Sequence, residues 1–222
     1  MFKAKYLIIC IFIFFAFLSS NAQVQKLFNI DFSTEQYNVA GIDNLGSVYL
    51  YSTASLVKLD KTGSILYSYA EHKKGQISYV DISNPFKILV LHRDAQELVV
   101  LNNKLSPIVN SYSLFDLGFS DVSLVCASQD NGFWIYDEAK GSVNLVTFQG
   151  VKLHFSNDLR QILESTFQPV KIAVYDSNIY LFDKFIGLIE LSNVANFKRL
   201  THLDAENISI NASGIFFVKS NK

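Results

Sequence analysis

A tandem spacing of short apolar runs limits this chain's fold more than any other feature of its sequence. Strand-like runs of four residues start at Val48, Ile88, Phe133, Ile179 and Ile215, which are 40, 45, 46 and 36 residues apart. A second series, Leu56-Val57-Lys58-Leu59, Leu98-Val99-Val100-Leu101, Val143-Asn144-Leu145-Val146 and Leu188-Ile189-Glu190-Leu191, keeps spacings of 42, 45 and 45. Runs of this length, rich in β-branched and aromatic residues and bounded by turn residues, read as strands. Two independently located series sharing one period of about 44 residues mark tandem units, and periods of 40 to 50 residues belong to propellers and solenoids.

Turn chemistry gives the same segmentation. Asp43-Asn44-Leu45-Gly46, Ser83-Asn84-Pro85, Asp130-Asn131-Gly132, Asp176-Ser177-Asn178 and Asn211-Ala212-Ser213-Gly214 precede the first series. These residues tolerate positive φ or bond their own backbone, so each is a hairpin signal. Asp60-Lys61-Thr62-Gly63, Asn102-Asn103-Lys104, Phe148-Gln149-Gly150 and Ser192 to Asn196 follow the second series. They lead into fourth strands at Ser64 to Ala70, Pro107 to Leu114, Val151 to Phe155 and Phe197 to Leu203. First strands are expected at Tyr37 to Ile42, Ile77 to Ile82, Val122 to Ala127, Val170 to Tyr175 and Asn207 to Ile210. The unit is therefore four short antiparallel strands in sequence order.

Four strands per unit at this period is the arrangement of a propeller blade, in which radial closure buries both sheet faces. The stretch Asp43-Asn44-Leu45-Gly46-Ser47-Val48-Tyr49-Leu50, followed by Leu56-Val57-Lys58-Leu59-Asp60-Lys61-Thr62-Gly63, resembles repeats of the NHL and PQQ-like propeller families. The chain also resembles exported Bacteroidota propeller proteins. The expected fold is thus an all-β propeller of four-stranded antiparallel blades, five in number with the last incomplete. Val24 to Phe32 is a spare N-terminal strand that could serve the last blade's outer edge. The fifth blade still lacks one strand. An early stop of the chain is favoured, with a three-stranded blade and closure by another molecule left open. A β-sandwich or other barrel is the rival fold. Lys58, Glu97 and Glu190, inside or beside short strands, argue against a lipid-facing barrel.

Residues 1–22 differ from the rest. Lys3 and Lys5 precede an uncharged apolar run of 12 residues, Leu7 to Leu18, which fits a secretory signal and falls short of the roughly 20 residues a membrane span needs. Ser20-Asn21-Ala22 offers small residues at a cleavage site before Gln23, and the segment resembles Sec signals of Bacteroidota proteins. The expected organisation is a signal peptide at 1–22 and a propeller domain at 23–222, in the periplasm or outside the cell; an uncleaved anchor is the alternative. Cleavage takes two lysines from 19 basic residues and nothing from 20 acidic ones, leaving −3. That balance lacks the basic stripe a phosphate backbone demands, so no nucleic acid is expected as a partner.

Chemistry is sparse. Only Cys10 and Cys126 are present, and His72, His92, His154 and His202 show no metal-ligand spacing, so no metal and no cofactor are expected. Adjacent Asp137 and Glu138 could act as acid and base only if both turned inward. In a propeller, the turns after odd-numbered strands of each blade emerge on one face and the remaining connections on the other. The second face collects Glu71 to Lys74, His92-Arg93-Asp94, Asp137-Glu138-Ala139-Lys140, Asp183-Lys184 and the excursion Ser156 to Phe167, where Ser156 or Asn157 could cap a helix. Loops carrying side chains beyond turn needs tend to carry function. The candidate binding residues are therefore His92, Arg93, Asp94, Asp137, Glu138, Lys140, Asp183 and Lys184.

The expected function is an exported, non-catalytic binding or assembly module of the bacterial envelope, with a protein or envelope polymer as partner and no membrane span after cleavage. The alternative is a propeller-fold enzyme: a lactonase, a lyase or a glycan-active hydrolase. A purely structural piece of a larger propeller is a third reading. Two or more convergent carboxylates or histidines in the axial channel would favour the enzyme.

Overall fold

The computed structural model describes residues 36–218 except 110, 130, 212 and 213; the expected signal at 1–22 and the strand Val24 to Phe32 lie outside the described residues. The first sheet is β1 (Asn38–Ile42), β2 (Val48–Tyr51), β3 (Leu56–Leu59) and β4 (Ile65–Tyr69). The second is β5 (Tyr79–Asp81), β6 (Ile88–His92), β7 (Glu97–Leu101) and β8 (Tyr112–Ser113). The third is β9 (Val122–Ala127), β10 (Gly132–Asp137), β11 (Ser142–Thr147) and β12 (Lys152–Phe155). The fourth is β13 (Lys171–Tyr175), β14 (Asn178–Asp183), β15 (Gly187–Leu191) and β16 (Phe197–Thr201). A pair, β17 (Asn207–Asn211) and β18 (Gly214–Val218), follows. Within each sheet, consecutive strands pair antiparallel, as the sequence predicts.

The same turn recurs after the third strand of all four complete blades. Asp60, Asn102, Thr147 and Ser192 each accept two backbone N–H groups on the side-chain oxygen, from the residues two and four positions on. The fourth residue of each turn has positive φ: Gly63, Leu105, Gly150 and Ala195. A register shift also recurs between third and fourth strands, at Lys58/Leu59, Leu145/Val146 and Glu190/Leu191. Such a bulge bends the outer strand away from its neighbour.

Packing between sheets follows the two-residue period of a strand. On β6, Ile88 and Val90 pack with Tyr49, Leu56 and Tyr69 of the first blade, whereas Leu89 and Leu91 pack with Val122, Leu124 and Ile135 of the third. Tyr180, Phe182 and Leu188 of the fourth blade pack with Ala205 and Ile208 beside the two-stranded sheet. Each middle blade therefore buries both faces against two neighbours. Every such side chain contributes roughly 1.5–3 kcal/mol by leaving water.

Lys58, Glu97 and Glu190, charges within strands, are paired. Lys58 Nζ lies 3.1 Å from Asp43 Oδ2, and Glu190 takes Lys198 and Arg199, both at 2.6 Å. Glu97 takes Lys74 and the Ser111 hydroxyl. Trp134 and Cys126 are core residues.

Two local expectations are corrected. The fourth strand expected over Pro107 to Leu114 shrinks to β8, with one isolated bridge at Pro107, because proline has no N–H to continue the ladder. The helix expected after Ser156 is α1 (Leu159–Leu163), and Asp158 caps it by accepting Arg160 N–H at 3.0 Å. The Ser156 hydroxyl is spent elsewhere, accepting Val143 N–H at 2.9 Å and donating to the Asn157 carbonyl at 2.8 Å.

Candidate functional site

The first strands β1, β5, β9 and β13, with Asn207 of β17, surround a cavity of about 780 Å³. This axial cup is also lined by Tyr79, a buried side chain that leaves β5 and donates its hydroxyl to the Ile172 carbonyl of β13 at 3.4 Å. The cup opens among the second-face loops, where Arg93, Glu138, Lys184 and Phe185 line it.

Repeat symmetry explains which predicted residues reach the cup. Ser52, His92, Asp137 and Asp183 hold equivalent places, four residues beyond the start of the apolar runs at Val48, Ile88, Phe133 and Ile179, and all four are buried. The next residues in blades two to four, Arg93, Glu138 and Lys184, line the cup instead. The strands end at His92, Asp137 and Asp183, so their successors are the first loop residues beyond the packed sheet and stand beside the cup.

Three of the eight expected contact residues are buried. His92 is buried, with Nδ1 donating to the Gly75 carbonyl at 3.0 Å and Nε2 accepting from the Tyr69 hydroxyl at 3.2 Å; burial lowers its pKa. Asp183 accepts N–H groups from Gln168 and Phe185 at 2.7 Å and Ile186 at 3.1 Å, which fixes the loop around it. Asp137 is fully buried, with no well-formed hydrogen bond to its oxygens; the Lys140 and Ala139 N–H groups are near, and Lys140 Nζ stands 3.7 Å away. Of the others, Asp94 is exposed, and Lys140 lies near the Phe119 ring, which Lys152 covers at 3.9 Å. Arg93 joins blades two and three, donating to Asp121 at 2.8 Å and to Glu138 at 2.6 Å.

Burial raises the Asp137 carboxyl above its ordinary 3.8, against the opposing pull of Lys140. A raised folded pKa means the folded state holds the proton longer, so its ionisation costs stability as pH rises through that value. Asp137→Asn should therefore raise the thermal midpoint at neutral pH, by about 2–4 °C per kcal/mol recovered, and the gain should vanish below pH 3.8. Melting curves at pH 3 and pH 7.5 check this; an equal change at both values would refute it.

Sequence reasoning does not single out Tyr79, Ser123, Lys171 or Phe185. Ser123 and Lys171 are polar residues in otherwise apolar first strands, and Phe185, 98% exposed, is an aromatic residue in a charged turn. Each breaks its local pattern, which is the signal that could have found it. Among the described residues, no group of three or more His, Cys, Asp or Glu side chains is placed to hold a metal ion. No helix among them is long and apolar enough to cross a membrane.

No protein-family model matches the sequence. A search of curated proteins finds no match either. Solved structures do match. The WD40 β-propeller domain of Doa1 is 16% identical at a TM-score of 0.60, covering 82% of this chain and 60% of that one. Virginiamycin B lyase from Staphylococcus aureus is 12% identical at 0.61, covering 84% and 64%. BBS1N, solved in complex with ARL6DN, is 12% identical at 0.50, covering 77% and 53%. The fold is a β-propeller, and the chain spans 53% to 64% of these structures' lengths. At such identities the likeness shows the fold alone; one neighbour is an enzyme and another was solved with a partner bound.

Proposed function

We propose that this chain is an exported, non-catalytic binding propeller of the bacterial envelope, directed there by residues 1–22, whose contact surface is the mouth of the axial cup. The observation that carries this reading is the state of Glu138. It is the carboxylate that lines the cup, and Arg93 holds it at 2.6 Å. A carboxylate fixed by a guanidinium, itself tied to Asp121, suits a rigid recognition surface more than proton transfer. The rim adds an exposed aromatic, Phe185, beside the exposed Lys184, a combination that suits contact with a partner. WD40 domains and BBS1N supply the same scaffold in proteins of unrelated sequence.

Phe185 supports no core, so Phe185→Asp leaves the fold intact and alters only the rim. With the protein as bait in an envelope extract of the producing cell, species retained by the native chain should fall about tenfold or more with the variant, a loss of roughly 1.4 kcal/mol in affinity. Equal retention by the two baits would remove this reading of the face.

A further inference from the structure

The charges lining the cup do not balance. Arg93, Lys171 and Lys184 face one carboxylate, Glu138, in a chain whose formal net charge is −1. Arg93 is committed to Asp121 and Glu138. Among the described residues, neither Lys171 nor Lys184 belongs to an ion pair. Asp81, which feels the charge of Lys171, already accepts the Ser83 hydroxyl at 2.7 Å and Ala127 N–H at 2.9 Å.

The two lysines belong to one corner of the cup. Lys171 pairs in register with Phe182 on β14, two residues before Lys184. On the neighbouring wall, Ser123 of β9 also lines the cavity, and its hydroxyl is buried without a hydrogen-bond partner. A buried hydroxyl without a partner is uncommon in a native structure and calls for an explanation. An anionic acceptor in the cup would meet both ammonium groups, and a χ1 rotation of Ser123 would turn its hydroxyl from its unpartnered position toward the same acceptor.

We infer that the axial cup receives an oxyanion, a carboxylate or phosphate group carried on a small solute, with Lys171 and Lys184 as its charge partners and Ser123 as a hydroxyl donor. This rests on reading the cup's mouth as the recognition surface and narrows it to a ligand chemistry. The lining comes from the second-face ends of the first strands and the loops beside them, so the anion enters from that face and is held by charge-assisted hydrogen bonds.

Calorimetric titration of the purified chain at low ionic strength tests this, with citrate and pyrophosphate as probes and glucose as a neutral control. Saturable binding of at least one anion is expected, weakening as salt is added, with no response to glucose. The tighter of the two anions tells carboxylate from phosphate. Lys171→Gln with Lys184→Gln should weaken that binding about tenfold or more, and Ser123→Ala several-fold. Lys184→Gln alone, at an exposed position, should weaken it measurably and cannot be blamed on misfolding. No saturable heat with either anion, or unchanged affinity in the double lysine variant, would overturn the inference. Anion binding needs no partner, so its loss in the lysine variants together with unchanged envelope retention by Phe185→Asp would keep the cup and discard the wider face.

Discussion

Truncating either of two adjacent residues, Ile88 or Leu89, to alanine should lower the unfolding free energy by about 2–5 kcal/mol. Both are fully buried on β6, but they point opposite ways, Ile88 into the interface with the first blade and Leu89 into the interface with the third. A sheet with one solvated face would show a large loss at one position and almost none at its neighbour. Radial packing makes both large. Urea unfolding of the two variants measures this directly, with the slope held to show that the same surface is exposed. A loss below about 0.5 kcal/mol at either residue would contradict burial on both faces.

A loss of similar size is expected at the buried pair Asp43 and Lys58, whose side chains are 5% and 7% exposed. Asp43→Ala removes the partner of a buried ammonium, and breaking such a pair costs about 3–5 kcal/mol because the remaining charge has no compensation. It also removes the acceptor of Leu45 and Ser47 N–H and of the Tyr49 hydroxyl. Asp43→Asn with Lys58→Met keeps a capping oxygen and removes both charges, so it should recover most of the loss; no recovery would show that the turn, and not the charge, dominates.

The same pair sets a pH response. Burial pushes the Asp43 carboxyl up, but the Ser47 N–H and the Lys58 ammonium outweigh it and hold the carboxyl below 3.8. A depressed folded pKa contributes stability that is present above the unfolded value and lost as pH falls through the folded one. Acid unfolding below about pH 4 should therefore be less steep in Asp43→Asn than in the native chain. An unaltered acid limb would refute it.

Much of the fold is legible in the chain because its determinants are local. Apolar runs such as Ile88 to Leu91 and Phe133 to Tyr136 became strands at the expected places, and the glycines of two recurring turns, Gly63 and Gly150, sit at positive φ. Leu105 and Ala195 adopt the same conformation in the other two turns without being glycine, and Thr147 caps a turn although its neighbours read as strand. Tertiary context imposes those three. The candidate site was less legible. His92, Asp137 and Asp183 look like loop residues in one dimension, yet each is the last side chain of a strand and points into the blade.

Periodicity and turn chemistry alone determined that this protein is a series of four-stranded antiparallel units, since each strand and hairpin answers to residues within a few positions of one another. Which charges are buried, which meet, and which remain uncompensated around the axis was decided only by tertiary structure. Arg93, Glu138 and Lys184 lie about 45 residues apart in sequence and line one cup because successive blades turn equivalent positions toward a common centre. Coulomb and hydrogen-bonding energies depend on separation in space, which a linear sequence does not state.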